Sequence, residues 1–235
     1  MYSLGQKLFV EFTGTFTLVL AGAGCICADQ YLRANGQSNV GLLAIASASG
    51  LAMGVMVSAV GHVSGGHFNP AITAGFWVTR RLGTMKALFY WIAQLLGALA
   101  AAFLLITVIP ESVWRPVVLG TPDLVAITDF TRMHAMILEA VLTFILVFVF
   151  FATMVDGKSL SNRLAGLPIG LTVTVGILIG YPFTGAAMNP ARAFGPALVA
   201  RHWSNHGVYW VGPLFGGVLA SVVYDRFFLR DQPPA

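Results

Sequence analysis

Charge is what this sequence lacks most. Only 9% of its 235 residues are Asp, Glu, Lys or Arg, against about a quarter in an average soluble domain. That scarcity excludes a water-soluble globule, and it excludes a disordered chain, which combines high charge with few apolar residues. Cysteine is nearly absent too. Cys25 and Cys27 are separated by a single residue within the first apolar run, which rules out a disulfide scaffold and a metal framework, so both read as packing residues. The 13 Lys and Arg outnumber acids and give a net charge of +4, but they are scattered between apolar runs. With no basic stripe there is no nucleic-acid partner to expect, and no residue cluster calls for a metal or cofactor.

What remains is apolar: 57% hydrophobic residues with a mean hydropathy of +0.80. The 26 glycines fit helical spans, because small residues let apolar helices approach closely, whereas barrel strands would alternate apolar and polar residues. An all-α membrane protein is expected. Six stretches, 8–28, 40–62, 84–109, 133–155, 164–182 and 207–229, reach the roughly 20 residues that cross a hydrocarbon core. The first carries Glu11, exceeds a signal-peptide core in length and lacks a small-residue cleavage site, so it reads as a permanent span.

Six spans put both termini on one side. Lys7, Arg80, Arg81, Lys86, Lys158, Arg163, Arg226 and Arg230 then share the terminal side, against Arg33, Arg115, Arg132 and Arg201 on the other. An excess of Lys and Arg marks the cytoplasm, so a multi-pass protein of the cell (inner) membrane with cytoplasmic termini is expected. Two further apolar pieces, 69–78 and 189–200, are too short to cross and read as half-helices entering from opposite faces.

The chain also repeats itself. Glu11-Phe-Thr-Gly-Thr15-Phe-Thr-Leu18 matches Glu139-Ala-Val-Leu-Thr143-Phe-Ile-Leu146, and Gly50-Leu51, Ser64-Gly65 and Asn69-Pro70-Ala71 match Gly170-Leu171, Thr184-Gly185 and Asn189-Pro190-Ala191. Tyr90-Trp91 and Gly97 likewise match Tyr209-Trp210 and Gly216. Residues 1–120 and 121–235 are thus expected to be two copies within one domain, 1–235. Three spans per copy is an odd number, so the second runs inverted through the bilayer.

Asn-Pro is a helix start. Asn accepts a backbone N–H through its side-chain oxygen, and Pro suits the first helical position because its missing N–H would be orphaned there. Each Asn keeps a donating NH₂. Two helix N-termini meeting at mid-membrane each present roughly half a positive charge, which repels cations and offers donors to a water oxygen. A single Asn-Pro-Ala would read as an ordinary loop turn; two copies, each before a short apolar segment and related by an inverted repeat, read as a pore. Non-helical backbone at this depth must be packed in protein or line a water-filled cavity.

The stretches Gly65-Gly66-His67-Phe68-Asn69-Pro70-Ala71 and Met188-Asn189-Pro190-Ala191-Arg192-Ala193-Phe194-Gly195-Pro196-Ala197 resemble the two signature loops of the aquaporin (major intrinsic protein) family. The resemblance extends over the six spans, both half-helices and the membrane carboxylates. Glycerol facilitators usually carry Asp after the Arg of the second loop; Ala193 at that place, with Tyr209-Trp210, is similar to the aquaporin branch instead. What the resemblance implies is a homotetramer with one pore per chain, passing water and small uncharged solutes and excluding ions and protons.

By the same resemblance, Arg192 falls at the outer constriction, where a fixed cation binds passing oxygens; snorkelling to the surface is its bland alternative. Counting against the family pattern puts Ser49, Ile177 and Ala186 at the other constriction positions, with plain helix packing as the alternative. Water-selective members commonly have Phe and His where this chain has Ser49 and Ile177, and Ile with Ala is similar to plant vacuolar and metalloid-conducting subgroups. A wider filter passing ammonia, urea, glycerol, hydrogen peroxide or metalloid acids is the variant reading.

Glu11 and Glu139 are membrane carboxylates, functional candidates by default. Their symmetric positions in the two copies suit acceptance from loop N–H groups better than proton relay. His62 and His67 are expected to be loop hydrogen-bonders rather than metal ligands or pH sensors, and the five tryptophans an interfacial belt. A secondary transporter would share inverted repeats and broken helices, but would need an ion site beside the pore. An enzyme is not expected, since no nucleophile–base pair or metal cluster occurs in any span.

Overall fold

The computed structural model describes residues 2–158 and 164–229; Arg163 and Arg230 lie outside the described residues. The described chain is all-α. Six helices are long and apolar enough to cross a membrane: α1 (Leu4–Ala34), α2 (Gly41–Ser64), α4 (Thr84–Val108), α6 (Arg132–Phe150), α7 (Gly166–Thr184) and α9 (Val208–Phe228). The half-helices α3 (Pro70–Val78) and α8 (Pro190–Ala200) follow α2 and α7, and the short α5 (Glu111–Trp114) lies between α4 and α6.

Helix limits follow local chemistry. Ser3 caps α1: its hydroxyl accepts from the Gln6 N–H at 3.3 Å while the Gln6 side chain accepts from the Ser3 N–H at 2.7 Å. At the far end Arg33 pairs with Asp29 at 2.8 Å, and Asp29 also accepts from the Gly41 N–H that opens α2. These polar ends carry α1 beyond the apolar stretch 8–28, because a helix continues past the hydrocarbon while its side chains find partners. Helix α6 passes directly into a π-helical turn, Phe151–Val155.

Polarity is reversed relative to a soluble protein. Leu43, Leu51, Leu171, Phe215 and Phe227 point outward and are more than half exposed, whereas Glu11, Thr15, Gln94, Glu139, Thr143 and Thr184 are fully buried. Trp77 and Trp203 are exposed, but Trp91 donates its indole N–H to the Pro70 carbonyl at 3.1 Å and so braces a half-helix rather than joining an interfacial belt. Cys27 is fully buried, and both cysteines are free thiols.

The principal packed pairs are α1 with α4, α2 with α7, and α6 with α9, while α3 rests on α9 and α8 on α4. Close approach depends on glycine. A Cβ on Gly50 would lie 2.5 Å from the Gly170 carbonyl oxygen, and one on Gly170 would lie 2.5 Å from the Gly50 carbonyl oxygen, so α2 and α7 touch backbone to backbone. Gly170→Val is therefore expected to destabilise the fold by about 1–3 kcal/mol through forced helix separation. Gly83→Ala, where a Cβ meets nothing within 4 Å, should leave the thermal unfolding midpoint in detergent nearly unchanged.

Candidate functional site at the meeting of two half-helices

Each half-helix begins as its Asn-Pro dictates. Asn69 Oδ1 accepts from the Ala71 N–H at 2.8 Å, and Asn189 Oδ1 accepts from the N–H groups of Ala191 at 3.0 Å and Arg192 at 3.4 Å. The preceding helices stop at Gly65 (φ 104°) and Gly185 (φ 75°), left-handed positions that favour glycine. The loops between are non-helical backbone deep inside the protein, and their N–H groups need partners.

The two glutamates supply them. Glu11 accepts from the Ser64 hydroxyl at 2.6 Å, the His67 N–H at 3.0 Å, the Phe68 N–H at 2.7 Å and the Gln94 amide at 2.8 Å. Glu139 accepts from the Thr184 hydroxyl at 2.7 Å, the Ala187 N–H at 2.9 Å and the Met188 N–H at 2.8 Å. Tyr90 and Tyr209 complete the two cradles by donating to the carbonyls of Ser64 and Thr184 at 2.7 and 2.8 Å.

Phe68 and Met188 join the loops. Both take left-handed backbone, φ 50° and 49°, at a cost of about 1–2 kcal/mol each. That turn lets each direct its N–H to the glutamate of its own loop and its carbonyl to the asparagine of the other: Asn189 Nδ2 donates to Phe68 O at 2.9 Å, and Asn69 Nδ2 to Met188 O at 2.8 Å. Each amide thus spends one N–H across the junction and keeps its second.

Asn69 and Asn189 line a narrow interior cavity of about 20 Å³ with Ser49, Ile177, Ala186, Arg192, Leu18, Met53, Leu146, Val173, Ala187 and Met188. That volume holds on the order of one water. The four residues expected at the outer constriction therefore share a cavity with both asparagines. Pro70, Ala71, Pro190 and Ala191 are buried in the first turns of α3 and α8. The Arg192 side chain is buried and donates from Nη1 to the Gly120 carbonyl at 2.8 Å. Larger cavities on the outer faces of α6 with α9 and of α2 with α7 contain none of these residues.

Several contributors escape sequence reasoning. Leu18 and Leu146 close the repeated E-x-x-x-T-F-x-L pattern, so the repeat itself marks them. Gln94 bridges Glu11 to Thr73, whose hydroxyl also contacts His67 Nδ1 at 3.0 Å, and it stands where the second copy has Pro213; its break from the repeat is its one signal. His67 is buried in this network, while His62 is exposed with its ring 5.8 Å from Tyr2. The Gly120 carbonyl, a backbone atom, leaves no mark in a sequence.

The family model described as Major intrinsic protein matches residues 2–224. The chain belongs to the major intrinsic protein family. Among its relatives, the "Probable aquaporin TIP3-2" of Arabidopsis thaliana is 42% identical over 238 residues, covering 97% of this chain and 86% of that protein. "Aquaporin-4" of Mus musculus is 39% identical over 229 residues, covering 96% and 68%. Both relatives are named as aquaporins. In structure it is similar to the aquaglyceroporin from Plasmodium falciparum, with a TM-score of 0.82, 24% identity, and 97% and 98% of the two chains covered, a likeness of fold.

Glu139→Gln tests the carboxylate cradle. One accepting oxygen becomes a donor facing loop donors, so a loss of about 1–3 kcal/mol is expected. Thermal unfolding in detergent measures it, and water flux per folded channel should fall with it.

Proposed function

We propose that this chain is a passive transmembrane channel for water and small uncharged solutes, with ions and protons held out. One observation carries the reading: two half-helix N-termini, two asparagine amides with an N–H to spare and one arginine converge on a single narrow cavity. Apart from Ser49 its other lining side chains are apolar, and among the described residues no carboxylate lines it. A water there donates nothing to the protein's amides and accepts from them, so its oxygen faces Asn69 and Asn189. The helix ends and Arg192 add positive potential along the route, which discourages cations.

Asn69, Pro70, Ala71, Asn189, Pro190 and Ala191 form the central element in this reading, and Ser49, Ile177, Ala186 and Arg192 the outer filter. Glu11 and Glu139 act as structural acceptors. Coupled transport finds less support, because the two membrane carboxylates are engaged with loop donors instead of standing free to bind an ion. The halves 1–120 and 121–235 are read as inverted copies, supported by the paired cradles. The Lys and Arg count supports cytoplasmic termini. The family resemblance supports a homotetramer with one conduit per chain.

Purified protein in liposomes should raise osmotic water permeability well above that of empty vesicles in stopped-flow light scattering. The same protein in planar bilayers should carry no ohmic current. Ohmic current above that of a protein-free bilayer overturns the ion-excluding channel.

The filter reading has its own test. Phe and His occupy far more cross-section than Ser and Ile, and lumen diameter with its lining donors sets what passes. Ser49→Phe combined with Ile177→His should lower glycerol and urea permeation about tenfold while sparing most water flux. Wild-type protein that already excludes glycerol, urea and ammonia contradicts the wide filter and leaves the water channel standing.

A further inference from the structure

Above the narrow cavity, on the side away from the termini, lies a second space of about 240 Å³ whose lining includes Gly120, Pro122, Asp123, Gly185 and Arg192. The segment 120–125 crosses this mouth, and every anchor that holds it is polar or tightly packed. Gly120 (φ 66°) sits against α1, where a Cβ would lie 3.0 Å from Ala23 Cα. Pro122 presses on the cap of α7, since a Cβ on Gly185 would lie 2.8 Å from Pro122 Cβ. The Val125 N–H donates to the Phe183 carbonyl at 2.9 Å.

The remaining anchor is Asp123. Its Oδ2 lies 2.6 Å from His202 Nε2, and its Oδ1 accepts from Asn205 Nδ2 at 2.9 Å and from the Leu124 N–H at 2.8 Å. Arg132, at the start of α6, donates to Asn205 Oδ1 at 2.7 Å, which fixes the Asn205 amide with its NH₂ toward Asp123. One carboxylate therefore ties the segment before α6 to the loop joining α8 and α9. Three residues back along that segment, the Gly120 carbonyl receives Arg192.

We propose that Asp123 is a positioning residue for the outer constriction: through His202 and Asn205 it fixes the segment 120–125 across the mouth, and thereby fixes the Gly120 carbonyl that holds Arg192. The proposal rests on the filter reading of Arg192. Burial works against the Asp123 charge, but the hydrogen bonds from Asn205, His202 and the Leu124 N–H outweigh it and hold the carboxyl below the usual carboxylate range. The clamp's carboxylate is thus charged at neutral pH. Cut loose, Gly120 would withdraw the carbonyl that accepts from the guanidinium, and the filter would lose definition without losing the fold of its walls.

The experiment is a double-mutant cycle read as the ratio of glycerol to water permeability in proteoliposomes of equal channel density. Arg192→Ala should raise the ratio. Asp123→Ala should raise it about fivefold, Asp123→Asn, which keeps an oxygen for Asn205 and Leu124, should raise it less, and Asp123→Ala should add nothing in the Arg192→Ala background. A general structural defect would lower both permeabilities together and leave the ratio unmoved. If Asp123→Ala fails to fold, His202→Leu with Asn205→Ala cuts the same clamp from the other side and must give the same shift. A ratio unchanged in the clamp variants while Arg192→Ala raises it overturns the proposal alone, as do effects that simply multiply. A ratio unchanged in Arg192→Ala overturns the filter reading and the proposal with it.

Discussion

Backbone amides buried away from water must find a partner inside the protein, and the rest of this structure depends on how that demand is met at two places. Between Ser64 and Pro70, and again between Thr184 and Pro190, the chain leaves the helix at membrane depth. An unmade bond there would cost several kcal/mol in hydrocarbon. Two carboxylates, the Ser64 and Thr184 hydroxyls and two asparagines absorb the demand, and the strained backbone at Phe68 and Met188 is the form in which the carboxylates and asparagines can be satisfied together. The conduit is the gap left when these polar groups have been paired.

Close helix packing follows from the same demand. The glutamates reach the loops only if α1 and α6 lie near them, and glycine at the backbone crossings permits that: a Cβ on Gly97 would fall 2.3 Å from the Phe12 carbonyl oxygen, and one on Gly216 would fall 2.0 Å from that of Ala140. Small residues thus serve the polar centre as much as the apolar packing. The two loops are alike in bonding but differ in surroundings. Around the first, His67, Thr73 and Gln94 form a buried polar network; around the second, the matching places hold Ala187, Ala193 and Pro213.

Much of this was legible in the sequence because the signals are local or repeated. Span length, the Asn-Pro start and the repeated order of motifs each follow from short stretches, and the repeat linked residues 120 positions apart that no periodicity would connect. Counting from Asn69 and Asn189 reaches Ser49, Ile177, Ala186 and Arg192, which line one cavity, since rigid helices preserve register at Ser49, Ile177 and Arg192 and Ala186 lies in the loop just before Asn189. The parts that were not legible depend on backbone atoms or on loops. The carbonyls of Phe68, Met188 and Gly120 are invisible in side-chain chemistry, and Asp123, His202 and Asn205 meet through the folding of two irregular segments. Helix α1 outruns its apolar stretch because its ends are held by capping and an ion pair instead of by apolar residues.

The pairing of the loops also bears on how such a chain can be made. Glu11, Ser64, Gln94 and Tyr90 all lie in the first half, so the first cradle can close as soon as α4 has emerged. The Asn69 amide, by contrast, must wait for a carbonyl 119 residues further along. At about 5–20 residues per second during synthesis, that wait lasts on the order of ten seconds, with the Asn69 amide and the Phe68 carbonyl at membrane depth still seeking their partners. The half-built protein is therefore locally complete but globally unsatisfied. Only the arrival of α8 ends that state, and it does so for both halves at once.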